Sequence, residues 1–266
     1  PTTIKRRHST FYLRAMKGYI SCLFLFSFSW LFGQDTLCMP LSGTMIHLVS
    51  FGQDSSSVLL YNMHDNENSS AMAGRILSTN KGGRYYELMH NGKRNISFLF
   101  GEDSIHIDPN RIYTDTGIWQ QLARNKITDT LAHQLISAWK DSLLNVLRIG
   151  ERTLVIALHN NTNQNYGFKS YMPDGEYADE AEAVCKGCVR DKDDFYFVTE
   201  YPILDQLCVG QYHAVMQSNS RMTDDGSLSV YCGRLGIPYI NVAAQHGHLF
   251  RQVNMLLFAY RQMKID

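Results

Sequence analysis

Apolar residues fall along this chain in two patterns: short unbroken runs, and longer stretches in which they recur every three or four positions. Val58-Leu-Leu-Tyr-Asn-Met63, Thr153-Leu-Val-Ile-Ala-Leu158 and Phe195-Tyr-Phe-Val198 predict buried strands; Tyr212-His-Ala-Val-Met216 and Pro238-Tyr-Ile-Asn-Val242 complete the set. Thr130 to Leu147 carries Leu131, Leu135, Ile136, Trp139, Leu143 and Leu147 at helical spacing. Ser69 to Leu77 and Leu249 to Met263 predict further helices, the first capped by Asn68 or Ser69. Asp224-Asp-Gly-Ser227 reads as a turn and cap before a helix over Leu228–Leu235, although its position in the sequence also allows a substrate-facing loop. Tyr85–Met89 and Ile96–Phe100 flank Asn91-Gly92, which predicts a hairpin. Strands separated by helices imply an α/β sheet covered on both faces.

Composition agrees with a globular protein. The 266 residues are 44% hydrophobic and 19% charged, which excludes a disordered chain, a collagen-like repeat and a polytopic membrane protein. Twenty-five basic side chains balance 25 acidic ones, and without a basic excess no nucleic-acid partner is expected. The balance is uneven along the chain. Residues 1–34 hold Lys5, Arg6, Arg7, Arg14 and Lys17 and no acid, so the remainder has 20 basic against 25 acidic residues. The basic stretch leads into Tyr19–Phe32, an apolar run of 14 residues. A membrane-crossing helix needs ~20 such residues, so the run predicts a secretory signal peptide instead. An uncleaved anchor or a buried helix is the alternative reading. The expectation is a signal segment over 1–34, a single domain over 35–266, no stable membrane span after processing, and a secreted or periplasmic location.

Export places the remaining cysteines, Cys38, Cys185, Cys188, Cys208 and Cys232, in an oxidising compartment. A disulfide is the better reading of Cys185-Lys-Gly-Cys188, since no second such pair accompanies it as a zinc site would require; the pairing stays open.

Ligands of α/β sheets gather beyond the carboxyl ends of the strands. Three such ends carry histidine: His64-Asp-Asn-Glu67, His159-Asn-Asn, and Ala243-Ala-Gln-His246-Gly-His248. His64 and Glu67, three apart, can reach one ion from a single turn, and His159 supplies a natural third ligand; two imidazoles and a carboxylate are a zinc donor set. Asp108-Pro-Asn110-Arg111 adds a planar guanidinium fork suited to a carboxylate, with Asn110 as a neutral donor. An ordinary salt bridge from Arg111 to Asp108 is the alternative. Tyr166, Tyr171 and Tyr212 are candidates to line a cleft. The acidic run from Asp174 to Glu182 lacks the pattern of a calcium loop and reads as solvated.

In their order, His64-x-x-Glu67, then Asn110-Arg111, then a strand ending in His159 resemble the zinc carboxypeptidases, the carboxypeptidase A-like metallopeptidases and their deacylase relatives. The 49 residues from Asn110 to His159 match that family's interval, and the resemblance covers roughly residues 56–260. It implies a mixed, largely parallel twisted sheet with helices on both faces. It further implies zinc on His64, Glu67 and His159, a substrate carboxylate on Asn110 and Arg111, and an oxyanion-stabilising role for Arg94. The implied activity is hydrolysis of an amide bond in a small peptide or acyl-amino acid with a free carboxylate, a cell-wall peptide among the candidates. One departure stands out. The family's general-base glutamate falls at Ala243, 84 residues after His159, and an alanine cannot take a proton. The chain is then a non-catalytic member that binds zinc and a peptide or carboxylate, carries an inactivating substitution, or draws its base from elsewhere. Glu200 and His246 are the candidates for that last role.

Overall fold

The structure is a computed structural model and describes residues 34–52, 57–81, 83–162, 166–188 and 191–263. The signal segment expected over 1–34 falls almost entirely on residues 1–33, outside the described residues. In chain order the strands are β1 (Asp35–Cys38), β2 (His47–Phe51), β3 (Val58–Asn62), β4 (Arg84–Met89), β5 (Ile96–Phe100), β6 (Asp103–Ile107), β7 (Leu154–Asn161), β8 (Ala181–Cys185), β9 (Phe195–Val198), β10 (His213–Gln217) and β11 (Tyr239–Gln245). The helices are α1 (Asn68–Lys81), α2 (Asp115–Arg124), α3 (Thr130–Leu147), α4 (Tyr201–Val209), α5 (Leu228–Leu235) and α6 (Leu249–Gln262).

Nine strands form one mixed sheet in the order β1-β2-β4-β3-β7-β11-β9-β10-β8. Its centre, β4-β3-β7-β11, is parallel, as is β9–β10; the pairs β1–β2, β2–β4, β9–β11 and β8–β10 are antiparallel. Alternate residues of the central strands feed two cores. Leu59, Tyr61, Val155, Ala157 and Tyr239 face α2, α3, α5 and the β5–β6 hairpin; Val58, Leu60, Ile156, Leu158, Ile240 and Val242 face α1, α4 and α6. Burial on both sides explains why these strands read as unbroken apolar runs rather than alternating ones.

The expected hairpin across Asn91-Gly92 does not form. β4 joins the large sheet, while β5 pairs with β6 in a separate two-stranded sheet. The Asp65 carboxylate accepts the backbone N–H groups of His90, Asn91 and Gly92 at 2.7, 2.9 and 2.7 Å, so this loop is ordered by a tertiary contact. The true hairpin turns at Gly101, whose φ of 60° suits the first loop position of a two-residue connection. The expected cap of α1 is also displaced. The helix begins at Asn68, and the Ser70 N–H is satisfied from β7 by Asn160 Oδ1 at 3.0 Å. Cys185 pairs with Cys208 rather than with Cys188; Cys38 and Cys188 are exposed and Cys232 is buried.

β3 leads through α1 to β4 on one side of itself, and the chain later returns to place β7 on the other. The sheet thus reverses its direction of travel between β3 and β7, where a crevice opens beyond the strand ends.

Candidate metal centre

His64 and His159 stand at that crevice. His64 leaves the end of β3, Glu67 opens α1 after a tight turn closed by Glu67 N–H to the His64 carbonyl at 3.1 Å, and His159 lies near the end of β7. All three are almost wholly buried, at 1%, 3% and 7% exposure. His64 Nδ1 is 2.8 Å from Glu67 Oε1, His159 Nδ1 is 3.2 Å from Glu67 Oε2, and the two Nδ1 atoms are 3.2 Å apart. Donors at zinc–ligand distances of ~2.0–2.1 Å in tetrahedral directions lie about 3.3 Å from one another, so the two imidazole nitrogens, and each of them with the carboxylate oxygen nearest to it, stand close to the spacing one such ion requires. Two imidazole nitrogens face to face beside a carboxylate also need a cation or a proton between them. The donor set fits a metal ion.

The surrounding groups fix the triangle. Asp108 Oδ1 receives the far nitrogen of His64, Nε2, at 2.8 Å, which turns Nδ1 toward Glu67. The Asn160 N–H donates to Glu67 Oε2 at 3.0 Å. Arg94 bridges the two carboxylates, Nη1 to Glu67 Oε1 at 3.0 Å and Nε to Asp108 Oδ2 at 3.1 Å. Burial alone would raise the Glu67 and Asp108 carboxyls, yet the histidines beside Glu67, and His64 with Arg94 and Arg111 around Asp108, hold both well below the usual range. Burial opposes charge on His64, but Glu67 and Asp108 outweigh it and raise that imidazole; His159 is lowered, chiefly by burial. The pocket is built to hold positive charge against two carboxylates.

A cavity of about 590 Å³ opens from Glu67 and His159 and is lined also by Arg94, Asn110 and Arg111. Asn110 and Arg111 sit on a 3-10 turn, Pro109–Arg111, capped by Asp108. Asn110 Oδ1 accepts the N–H of Leu228 at the start of α5, so what this side chain can offer a ligand is its amide N–H. Arg111 is paired differently from the alternative read in the sequence. Its Nε lies 3.4 Å from Asp225 Oδ2, while Asp108 serves His64 and Arg94. Gly226 makes this arrangement possible: at φ +78° it packs so closely that a Cβ would stand 2.4 Å from the Arg111 carbonyl oxygen.

The other expected residues divide. Tyr166 and Tyr171 line the cavity, whereas Tyr212 packs on Tyr196 and Phe258 on the opposite face of the sheet. Ala243 is in register with His159 but wholly buried among Tyr171, Phe195 and Phe197. Neither substitute base reaches the site. β9 runs antiparallel to β11, so its end carries Glu200 to the edge of the sheet opposite the histidines. His246 is at the correct edge, with its N–H on the Asn161 carbonyl, but its exposed side chain does not line the cavity. Sequence reasoning missed Asn241 and Glu180 as cavity residues, whereas Asp225 belongs to the turn for which a substrate-facing loop is the alternative, and it does line the cavity. Glu180 belongs to the run read as solvated, and no spacing marks it, because tertiary folding alone brings its loop over the strand ends.

No family model and no curated protein matches this chain. Several solved structures are similar to it. An aspartoacylase family protein from Mesorhizobium loti is 12% identical with a TM-score of 0.43, over 88% of this chain and 67% of that one. The tripeptide-bound cell shape determinant Csd4 from Helicobacter pylori is 10% identical with a TM-score of 0.48, over 83% of this chain and 56% of that one. Thrombin activatable fibrinolysis inhibitor is 8% identical with a TM-score of 0.49, over 86% of this chain and 68% of that one. The chain spans little more than half the length of Csd4. At these identities and scores the likenesses concern the course of the backbone and carry no activity across.

Proposed function

We propose that this chain is an exported, zinc-dependent hydrolase of carboxypeptidase type, with a signal segment over 1–34 and one catalytic domain over 35–266. Its substrate is a small peptide or acyl-amino acid with a free carboxylate, a cell-wall peptide being a candidate for an exported protein. The observation that supports this reading is the convergence of His64 Nδ1, His159 Nδ1 and the Glu67 carboxylate on one point in a cavity that also holds Arg111. His64, Glu67 and His159 would hold the metal; zinc there supplies Lewis acidity to a substrate carbonyl. Arg111 and the Asn110 amide hold the terminal carboxylate and so place the neighbouring amide bond. Arg94, pinned by Glu67 and Asp108, brings positive charge to where oxygen charge develops. Among the described residues no helix is long and apolar enough to cross a membrane.

Metal analysis tests the centre. The purified protein should hold about one zinc per chain and His64→Ala should lose it; equal zinc in both proteins would overturn the assignment. A second reading, a non-catalytic zinc protein that binds peptides or carboxylates, is favoured by Ala243. A positioned general base is worth ~10²–10⁴-fold in rate, so Ala243→Glu should create or raise amidase activity in a chain that otherwise only binds. Full activity without that change would set the binding reading aside.

A further inference from the structure

His213 opens β10, is wholly buried, and has a different partner at each ring nitrogen. The Gly187 N–H, just beyond β8, donates to Nδ1 at 3.0 Å, and Lys192 Nζ stands 2.9 Å from Nε2. Gly187 allows this approach, since a Cβ there would stand 2.1 Å from the Gln211 carbonyl oxygen. Phe168 stacks on the imidazole with centroids 4.4 Å apart and holds the ring in place. An imidazole nitrogen that accepts a backbone N–H carries no proton, so the proton of the ring is on the other nitrogen. The Gly187 contact thus makes Nε2 a donor aimed at Lys192. An ammonium has three donors and no acceptor, so the Nζ that answers Nε2–H is a neutral amine.

The surroundings push the same way. Burial, then the ammonium groups of Lys186 and Lys169, lower the Lys192 amine from its ordinary value. The Phe168 ring centroid is 5.9 Å from Nζ, the outer limit for attraction to a cation, so it does little to restore the charge. A neutral amine adds to an electrophilic carbonyl carbon, and the two lysines select which one. An aldehyde would leave an imine that takes up a proton, adding a third positive charge beside Lys186 and Lys169. Carbon dioxide does the reverse. The Nζ lone pair forms the new N–C bond, one C=O electron pair moves onto oxygen, and an Nζ proton passes to water. Nothing is oxidised or reduced, and the product is an anion that two ammonium groups and an imidazole N–H are suited to receive.

We propose that Lys192 is a carbamylation site, at which carbon dioxide adds to Nζ and the carbamate accepts from His213 Nε2–H beside Lys186 and Lys169. None of these residues belongs to the metal centre, so the proposal is independent of the function argued above. To test it, the full chain is incubated with isotopically labelled bicarbonate near neutral pH and treated with triethyloxonium, which esterifies carbamates, before peptide mass spectrometry. The Lys192 peptide should carry about tenfold or more labelled ester than Lys140, whose amine pairs with Asp141 at 3.0 Å, because each unit of lowering in amine pKa is tenfold in free amine. Lys186→Glu and Lys169→Glu, both at exposed positions, should each cut the Lys192 adduct severalfold, since an acid there restores the ammonium and repels the carbamate. Equal labelling of Lys192 and Lys140, or a Lys192 adduct indifferent to both charge reversals, sinks the proposal. So does an amine that cyanoborohydride fixes to an added aldehyde while no carbamate is trapped.

Discussion

Asp108 joins three parts of the site: it receives His64 Nε2 and Arg94 Nε, and its Oδ1 also accepts the Asn110 N–H at 2.8 Å. It thereby orients an imidazole, a guanidinium and the turn that carries Arg111. In the sequence it stands out only as a neighbour of Arg111, since spacing cannot say which of several cations a carboxylate will meet. Partners that orient a metal-bound histidine typically account for ~10–100-fold in metal affinity. Asp108→Ala should weaken zinc binding by about that factor, read by competition with a chromogenic chelator, with the circular dichroism of the fold retained. The candidate ligands His64, Glu67 and His159 were legible because each follows or ends a run of unmistakable strand character. Asn241 was not, because an isolated asparagine inside a strand gives no sign of which wall it faces.

At the scale of elements, the strand and helix runs emerged where burial imposes a strong period, and the errors fall where distant side chains decide. Asn160 illustrates this. From the end of β7 it caps α1 through the Ser70 N–H and donates to Gln252 Oε1 of α6 at 2.7 Å. Loss of a helix cap costs ~0.5–2 kcal/mol, so Asn160→Ala should lower stability by about 1–2 kcal/mol in urea denaturation. Asp224 ties α2 to α5: it accepts Thr114 Oγ1 at 2.7 Å, Arg234 Nη1 at 2.6 Å and the Gly226 N–H at 3.1 Å. Burial would raise this carboxyl, but those hydrogen bonds hold it below its usual value. Its stabilising contribution is thus fully present above the ordinary carboxylate value and lost as pH falls from there through the lowered value of the folded state. Urea midpoints measured from pH 7 downward should fall less steeply for Asp224→Asn than for the unaltered chain, and equal slopes would contradict the assignment. The Asn91-Gly92 hairpin signal failed in the same manner, overridden by the Asp65 carboxylate from a different loop.

At the scale of the whole molecule, the proposed metal joins β3, α1 and β7 across the reversal point of the sheet, so its binding should couple to global unfolding. A ligand at a hundred times its dissociation constant adds about 2.7 kcal/mol to a state that alone binds it. For a domain of this size that corresponds to roughly 5–10 °C in Tm. Zinc should raise Tm by about that much over chelator-treated protein, and His64→Ala should abolish the shift in differential scanning calorimetry. What the sequence by itself determined was local: which segments are strands or helices, because burial writes a period into them, and which residues sit at strand ends. Strand direction, register and the approach of remote loops were decided only by the tertiary structure, because they depend on contacts between segments far apart in the chain. The antiparallel run of β9 removes Glu200 from the site, and the folding of two polar loops over the strand ends brings Glu180 and Asp225 into it.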